Sequence, residues 1–197
     1  ALALAGCSTV GAPVEATPTP VSQDETDPAY WEARAQAALA RQRAAVSGTR
    51  ARNVILFVGD GMGVSTVTAA RILAGQLAGA PGEEHELSFE RFPSLALSKT
   101  YNTNQQTPDS AGTMTAMITG VKTLAGVLSV DGSVRLGDCA SARGAAVPTL
   151  VEQAEDAGLA TGIVSTARIT HATPAAAYGH TPHRDWEADS TMPPEAR

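Results

Sequence analysis

The sequence contains few aromatic residues and lacks basic runs, long apolar runs and internal repeats. Aromatic residues make up 4% of it, so aliphatic residues and alanine must fill the core. The formal net charge is −6, and without a basic run nucleic acid is disfavoured as a specific partner. No stretch is long enough to cross a bilayer as a mature helix. What remains is a chain of 197 residues, which is enough for one sizeable core.

The amino end has no initiator methionine and no basic segment. Residues 1–7 are apolar and then small, which we interpret as the remnant of a signal peptide. Leu4-Ala5-Gly6-Cys7 resembles the lipobox of bacterial lipoproteins, whose cysteine carries the lipid; a free Cys7 is the alternative. Residues 8–27 are rich in Pro, Thr, Ser and Glu and are predicted to be a disordered spacer. We therefore expect an exported protein, periplasmic or at the cell surface, with Cys7 anchored to a bacterial membrane.

Residues 28–197 are predicted to form one folded part. Helical spacing and end signals predict helices over 27–48, 65–77, 110–119, 148–157 and 173–178, and strands over 54–58, 95–100 and 159–165. Residues 130–143 are expected to form a surface excursion. Strands that alternate with helices predict an α/β fold with a mostly parallel sheet.

Two motifs place reactive groups on this framework. The predicted strand 54–58 runs into Gly59-Asp60-Gly61-Met62-Gly63, a glycine-rich loop with one carboxylate. Ligands of open parallel sheets bind at the carboxyl ends of strands, where this loop lies. Ser110, in Asp109-Ser110-Ala111-Gly112, begins a predicted helix, where free N–H groups and the helix dipole favour an anion.

Better-known motifs do not fit these residues. Gly59 and Gly61 could begin a dinucleotide-binding fingerprint, but Val64 occupies its third glycine position. Pro108 occupies the first glycine position of a nucleophile elbow, which disfavours an esterase of that type. The glycines around Asp60 instead allow the backbone to approach a ligand or metal closely.

The two motifs resemble those of the alkaline phosphatase family, and the resemblance runs from about Arg52 to the last residue. Residues 59–63 resemble the family's metal-binding aspartate loop, and 108–113 resemble its nucleophile motif. Residues 164–175 are similar to its magnesium-site segment, and 180–186 to the segment with its phosphate-binding arginine. The resemblance implies a three-layer α/β/α sandwich, which we expect to be incomplete at the carboxyl end.

The implied activity is metal-dependent hydrolysis of small phosphate monoesters, with two Zn²⁺ ions and one Mg²⁺ ion as cofactors. Ser110 would attack phosphorus, carry a phosphoryl group and contact a metal ion. Arg184, together with Asp109, would bind the phosphate group. A serine hydroxyl is a weak nucleophile that needs a base or a metal, so this set of groups is chemically coherent.

The same resemblance implies metal-site roles for three further residues. Asp60 would bridge a zinc ion and the magnesium ion, and Thr173 would ligate magnesium through its hydroxyl. His171 would act on the magnesium site through water rather than as a ligand. Hard cations prefer such carboxylate and hydroxyl oxygens.

Each of these residues also has a plainer interpretation. The alternatives are a helix-start serine for Ser110, a helix cap for Asp60, a capping pair for Thr173-Pro174 and a surface ion pair for Arg184. His180 and His183 could imitate a zinc pair, which is disfavoured because Pro182 interrupts a helix between them.

The resemblance leaves most zinc ligands unassigned, because no further histidine cluster follows Arg184. We expect those ligands, and the disulfide partner that the resemblance implies for Cys139, to lie beyond Arg197. A free buried thiol is the alternative for Cys139. The chain by itself is then expected to be inactive, and a homodimer stays open. Two rival functions are a phosphodiesterase or sulfatase of the same superfamily and a non-catalytic phosphate-binding lipoprotein.

Overall fold

A computed structural model describes residues 28–44 and 51–196. Within them the α-helices are α1 (Pro28–Ala44), α2 (Val64–Leu77), α3 (Ser110–Thr119), α4 (Cys139–Ala142), α5 (Leu150–Asp156) and α6 (Ala172–Ala175), and short 3₁₀ helices span Ser88–Arg91, Asp189–Thr191 and Pro194–Ala196. The described residues fall into two compact units, of which one holds 28–44, 51–55 and 62–95 and the other holds 56–61 and 96–196. No helix in this part of the chain is long and apolar enough to cross a membrane.

In the first unit, α2 is closed by a loop that folds back on it. Gly79 follows the helix in the left-handed region, with φ of +84°, as its predicted stop position requires. The loop approaches so closely at Gly75 that a Cβ there would lie 2.5 Å from Cα of Gly82. The Arg71 guanidinium donates to the carbonyl of Glu83 at 3.0 Å. Glycine at position 75 is therefore required by packing rather than by its backbone angles.

The second unit is built around the packing of α3 against α6. The buried face of α3 supplies Ala111, Met114 and Ile118, while residues 172 and 175–177 supply small side chains opposite. Gly120 ends α3 in the left-handed region, with φ of +78°, which glycine adopts without strain. Alanines on α6 let the two helices approach, which brings their amino-terminal ends into one region.

A second buried cluster corrects the prediction that residues 130–143 form a surface excursion. Val130 and Val134 are buried together with Val127 and Ala145. An isolated antiparallel bridge pairs Val130 with Ala146, and the short helix α4 lies between. The turns in this stretch therefore lead the chain back to the core, where residues on both sides of α4 are buried.

Two predicted helices differ in where they begin. α5 starts at Leu150 because the Thr149 hydroxyl accepts from the N–H of Glu152, which makes Thr149 the cap of the helix. α6 starts at Ala172 with His171 at the capping position, so Thr173 is its second residue and not its cap. The predicted first helix is described only over Pro28–Ala44, and Asp27 and residues 45–50 lie outside the described residues.

The three predicted strands are not formed in the part of the chain that the structure describes. Residues 54–58, 95–100 and 159–165 have no ladder bonds there, and the only pairings are isolated bridges. Most of their apolar side chains are exposed, reaching 87% at Phe57, 95% at Leu95 and 100% at Val164, whereas Val58 and Ile163 pack partly against the core. A strand can satisfy its backbone groups only against a neighbouring strand, and no such neighbour is present. The expected sheet is therefore absent from the described residues.

Candidate active site

The carboxylate of Asp109 organises the amino-terminal end of α3. Its Oδ1 accepts from the N–H of Gly112 at 3.0 Å, which caps the helix, and from Nδ2 of Asn102 at 2.9 Å. Its Oδ2 accepts from the N–H of Gly126 at 2.9 Å and from Nη1 of Arg184 at 3.1 Å. Both oxygens are thus held by donors of the protein, and the carboxylate has a fixed position.

This arrangement keeps Asp109 ionised. Burial raises the pKa of its carboxyl group, but hydrogen bonds from the Gly112 N–H, Arg184, Asn102 and the Gly126 N–H outweigh that effect and hold the pKa below its ordinary value. The side chain is 22% exposed, so water screens these contacts only in part. Asp109 therefore presents a permanent negative charge to its neighbours at neutral pH.

The negative charge of Asp109 faces the guanidinium of Arg184. Its Nη1 donates to Asp109, and its Nη2 lies 3.3 Å from Nε2 of His171. Its backbone N–H donates to the carbonyl of Gly126 at 2.8 Å, and its side chain is only 24% exposed. This is a supported, partly buried cation rather than a surface ion pair. A guanidinium has five N–H donors, so several remain for an anion.

His171 connects Arg184 to α6. It precedes the helix, and Nε2 of its ring faces the arginine, which can only donate. A neutral His171 then carries its proton on Nδ1, which is buried without a hydrogen-bond partner in the described residues. The arrangement fixes the ring but leaves one polar atom unsatisfied.

Ser110 is the first residue of α3, directly after the Asp109 cap. It is half-buried, and within the described residues no hydrogen bond engages its hydroxyl. The start of α3 is tightly packed, because a Cβ on Gly112 would lie 2.7 Å from Oδ1 of Asn102 and 2.8 Å from the carbonyl of Leu124. Glycine at 112 therefore allows Asn102 and the chain near Leu124 to lie under the helix start.

Asp60 and Thr173 form a second, smaller group. The Thr173 hydroxyl donates to Oδ2 of Asp60 at 2.8 Å, across 113 positions of sequence, and the aspartate is exposed. The helix-cap alternative for Asp60 is excluded, because α2 has Gly63 at its cap position and no capping side chain. His171 and Thr173 both belong to the start of α6, so the two groups share one element.

The Asp60–Thr173 pair fits part of a magnesium site. Adjacent ligands of an octahedral Mg²⁺ at 2.0–2.1 Å are about 2.9 Å apart, close to the observed oxygen–oxygen separation of 2.8 Å. Magnesium also keeps several waters and needs few protein ligands. Zinc does not fit in the same way, because no three His, Cys, Asp or Glu side chains converge on a metal position in the described part.

The remaining candidate ligands are engaged elsewhere. His180 contacts Glu152 and the carbonyl of Ser129, whereas the His183 ring stacks on Trp186 with centroids 5.5 Å apart. The zinc-pair alternative for these two histidines is therefore not supported. Cys139 is a half-buried free thiol at the start of α4.

Several site residues had not been predicted from the sequence. Asn102 and Gly126 donate hydrogen bonds to Asp109. The two carboxylate oxygens of Glu187 accept from Arg168, at 2.8 and 2.7 Å, and one of them also accepts from the Thr170 hydroxyl at 2.8 Å. The Arg168 contact, followed by that of Thr170, lowers the pKa of Glu187 to about 2. Glu187 thus ties the segment before His171 to the segment after Arg184. No short motif marks these partners, although Asp109 three residues before Gly112 has the spacing of a helix cap.

Comparisons with known proteins agree on one family. A family model described as alkaline phosphatase matches residues 51–197. The tissue-nonspecific alkaline phosphatase isozyme of Homo sapiens is 52% identical over 178 residues, covering 89% of this chain and 34% of its own length. The chain thus spans about a third of the length of the curated relatives it matches.

Solved structures give the same result. Alkaline phosphatase from Thermus thermophilus is 31% identical with a TM-score of 0.58, covering 71% of this chain and 27% of its own. A variant of the alkaline phosphatase of the Antarctic bacterium TAB5, solved with Mg bound, is 30% identical with a TM-score of 0.55, covering 68% of this chain and 34% of its own. These structures have the α/β fold that the sequence predicts.

Proposed function

Because the chain belongs to the alkaline phosphatase family, we propose that it carries the nucleophile and the phosphate-binding group of a metal-dependent phosphate monoesterase. The observation that carries this proposal is the Asp109–Arg184 pair beside Ser110 at the start of α3. A fixed cation next to a helix amino terminus is suited to a dianionic phosphate. The substrates are small phosphate monoesters.

Arg184 positions the phosphate group. Its free N–H donors bind two non-bridging oxygens through the planar fork of the guanidinium. Asp109 accepts four hydrogen bonds from the protein and has no donor of its own, so its contribution to substrate binding is to orient Arg184. This refines the expectation that Asp109 shares the phosphate contact.

Ser110 supplies the nucleophile. Its oxygen forms a bond to phosphorus, its proton is released, and the bond from phosphorus to the leaving alcohol oxygen breaks, with that oxygen taking up a proton. Water then attacks the phosphoserine, which returns the serine hydroxyl and releases inorganic phosphate. The hydroxyl is available for this role because no hydrogen bond in the described residues engages it.

Asp60 and Thr173 would hold Mg²⁺, and His171 would act on that site through water. Metal ions supply the activation of the serine oxygen and the stabilisation of the leaving oxygen, which a serine cannot achieve alone. Two Zn²⁺ ions belong to the same proposal: Asp60 and Ser110 would hold one of them, and the remaining ligands are not among the described residues. The Mg-bound Antarctic relative supports the magnesium assignment.

The wider architecture is part of the proposal. Residues 54–58, 95–100 and 159–165 would be parallel strands of a three-layer α/β/α sandwich, which would cover their exposed apolar side chains. Cys7 and residues 8–27 lie outside the described residues. A lipid on Cys7 would anchor an exported enzyme at a bacterial membrane, and replacing Cys7 with serine in the intact gene should release it from the membrane fraction. A homodimer is compatible with this arrangement.

The experiment that tests this function is to trap the nucleophile. The intact protein is incubated with labelled inorganic phosphate at acid pH, and the labelled residue is mapped. We expect the label on Ser110 and its loss in Ser110→Ala, together with loss of turnover of a chromogenic phosphate monoester. Label on another residue, or full turnover in Ser110→Ala, would overturn the assignment. Phosphate binding without either label or turnover would favour a non-catalytic phosphate-binding lipoprotein.

A further inference from the structure

His180 has a hydrogen-bond acceptor at each of its two ring nitrogens. Nδ1 lies 2.6 Å from the carbonyl oxygen of Ser129, and Nε2 lies 2.9 Å from Oε1 of Glu152. A neutral imidazole carries only one N–H, whereas the imidazolium carries two. The geometry therefore matches the protonated ring, in which both nitrogens donate.

His180 stands at one end of two paired segments, residues 126–129 and 180–184. Leu128 and Thr181 exchange two backbone hydrogen bonds, of 2.9 and 3.0 Å. At the other end of the pairing, the N–H of Arg184 donates to the carbonyl of Gly126 at 2.8 Å, and the N–H of Gly126 donates to Asp109. The paired segments are thus linked at one end by the hydrogen bond of His180 to Ser129, and at the other end they place Arg184 beside Asp109.

The acceptors around His180 are themselves fixed. Ser129 is fully buried, its backbone N–H donates to the hydroxyl of Thr115 at 2.9 Å, and its hydroxyl donates to the carbonyl of Ala176. Glu152 belongs to α5, where its other oxygen accepts from the N–H of Thr149 at 2.8 Å. One imidazole therefore joins α5 and the segment 126–129 to the segment 180–184, which carries Arg184.

The charges around this ring decide its protonation. Burial lowers the pKa of His180, but the carbonyl of Ser129 and the carboxylate of Glu152 outweigh that effect and raise the pKa above its ordinary value of 6.5. Cys139 and Arg143 line the same cleft as His180, and Arg143 is the cation among the residues of that cleft whose charge opposes that of the ring. The N–H of Thr149, followed by His180, lowers the pKa of Glu152.

Loss of the proton would affect the two contacts unequally. The Ser129 carbonyl is buried and faces Nδ1, so a neutral ring keeps its remaining proton there. Glu152 is 40% exposed at its side chain and can exchange His180 for water. A group whose folded pKa is raised gives its full stabilisation below its unfolded pKa and loses it as the pH rises through the folded pKa. The link to α5 therefore weakens on the alkaline side.

We propose that His180 is a positioning residue that, as an imidazolium bonded to Ser129 and Glu152, holds the segment carrying Arg184 in register with Asp109. This inference deepens the proposed phosphate site and rests on Arg184 being its anion-binding group. It involves no contact between His180 and substrate.

The test uses two NMR signals that need no turnover. The ¹⁵N shifts of the His180 ring report its protonation, and the exchange rate of the Arg184 backbone N–H, which donates to Gly126, reports whether the segment is in register. The variants are His180→Gln, Glu152→Gln, which keeps the shape of the side chain and removes its charge, and His183→Gln as the matched control in the same segment.

We expect both His180 nitrogens to stay protonated above pH 6.5, the ordinary value for an imidazole, and Glu152→Gln to lower the titration midpoint of His180. In His180→Gln the Arg184 N–H should exchange faster than in the wild type, while in His183→Gln it should exchange at the wild-type rate. A His180 ring that loses its second proton below pH 6.5, or an Arg184 N–H whose exchange is unchanged in His180→Gln, would overturn the inference. A missing phosphoserine would leave both signals unaffected, so failure of the proposed function is distinguishable.

Discussion

The Asp109–Arg184 group and the Asp60–Thr173 pair are held in different ways. Asp109 is partly buried and accepts four hydrogen bonds from four elements of the second unit, including a helix start and a guanidinium. Asp60 is exposed, and a single hydroxyl donates to it. The difference indicates that the proposed anion-binding half is held by internal hydrogen bonds, whereas the proposed cation-binding half has few internal bonds.

The largest expected effect comes from replacing each aspartate by asparagine. In Asp109→Asn one oxygen becomes an NH₂ group that faces donors, and Arg184 loses its nearer counter-charge, while Oδ1 of Asp185 stays 3.9 Å from its Nε. We expect a loss of about 2–4 kcal/mol in the free energy of unfolding, because a partly buried charge pair is broken. Asp60→Asn should cost less than about 1 kcal/mol, since its one bond is exposed. Urea unfolding of both variants measures the contrast, and equal losses would contradict it.

The next effect is a loss of stability in acid. Asp109 and Glu187 have folded pKa values below their unfolded values, so their stabilisation is present above the unfolded pKa and is lost as the pH falls through the folded pKa. For Glu187 the window runs from 4.5 down to about 2. Unfolding free energies measured between these limits should fall steadily in the wild type.

Two variants locate the source of that slope. Asp109→Asn and Glu187→Gln should each flatten the dependence of stability on pH, while Asp60→Asn should leave it as in the wild type. A slope that survives in Glu187→Gln would mean that the Arg168–Glu187 contact does not persist in solution.

The smallest expected effect on stability belongs to Thr173. Thr173→Val removes the bond to Asp60 and should change the free energy of unfolding by less than about 1 kcal/mol, because the contact is exposed. The same change should weaken Mg²⁺ binding, since a hydroxyl oxygen is a ligand and a methyl group is not. Titration of Mg²⁺ into the wild type, Thr173→Val and Thr173→Ser measures this. Serine should retain binding, and loss in serine but not in valine would be contrary to the assignment.

The helices of this chain were predictable because their hydrogen bonds close within each segment. α2, α3 and α5 lie within two residues of their predicted bounds, and Gly79 follows α2 with the left-handed angle that a stop signal requires. The predicted strand segments behave differently. Residues 54–58 carry a clear apolar pattern, yet a strand needs a partner that its own sequence cannot supply, and in the described residues it has none.

The residues of the site likewise fall into those that a local sequence signal marks and those that only contacts between distant segments define. Asp109 and Ser110 could be placed because a helix start has a local signature, and Asp60 because glycines surround it. Asn102, His180 and Glu187 could not, because their roles come from contacts between distant segments, such as the 75 positions that separate Asp109 from Arg184. Thr173 shows both effects, since the sequence places it at a helix start, but only the fold shows that its partner is Asp60.

The most direct test of the claim that the anion-binding half is prebuilt is phosphate affinity in metal-stripped protein. Inorganic phosphate is titrated by calorimetry in the presence of a chelator, with wild type, Arg184→Ala and Asp60→Asn compared. Since charge-assisted hydrogen bonds contribute about 1.5–3 kcal/mol each, Arg184→Ala should bind about tenfold or more weakly than the wild type, while Asp60→Asn should match it. Stripped wild type that binds phosphate no better than Arg184→Ala would contradict the account.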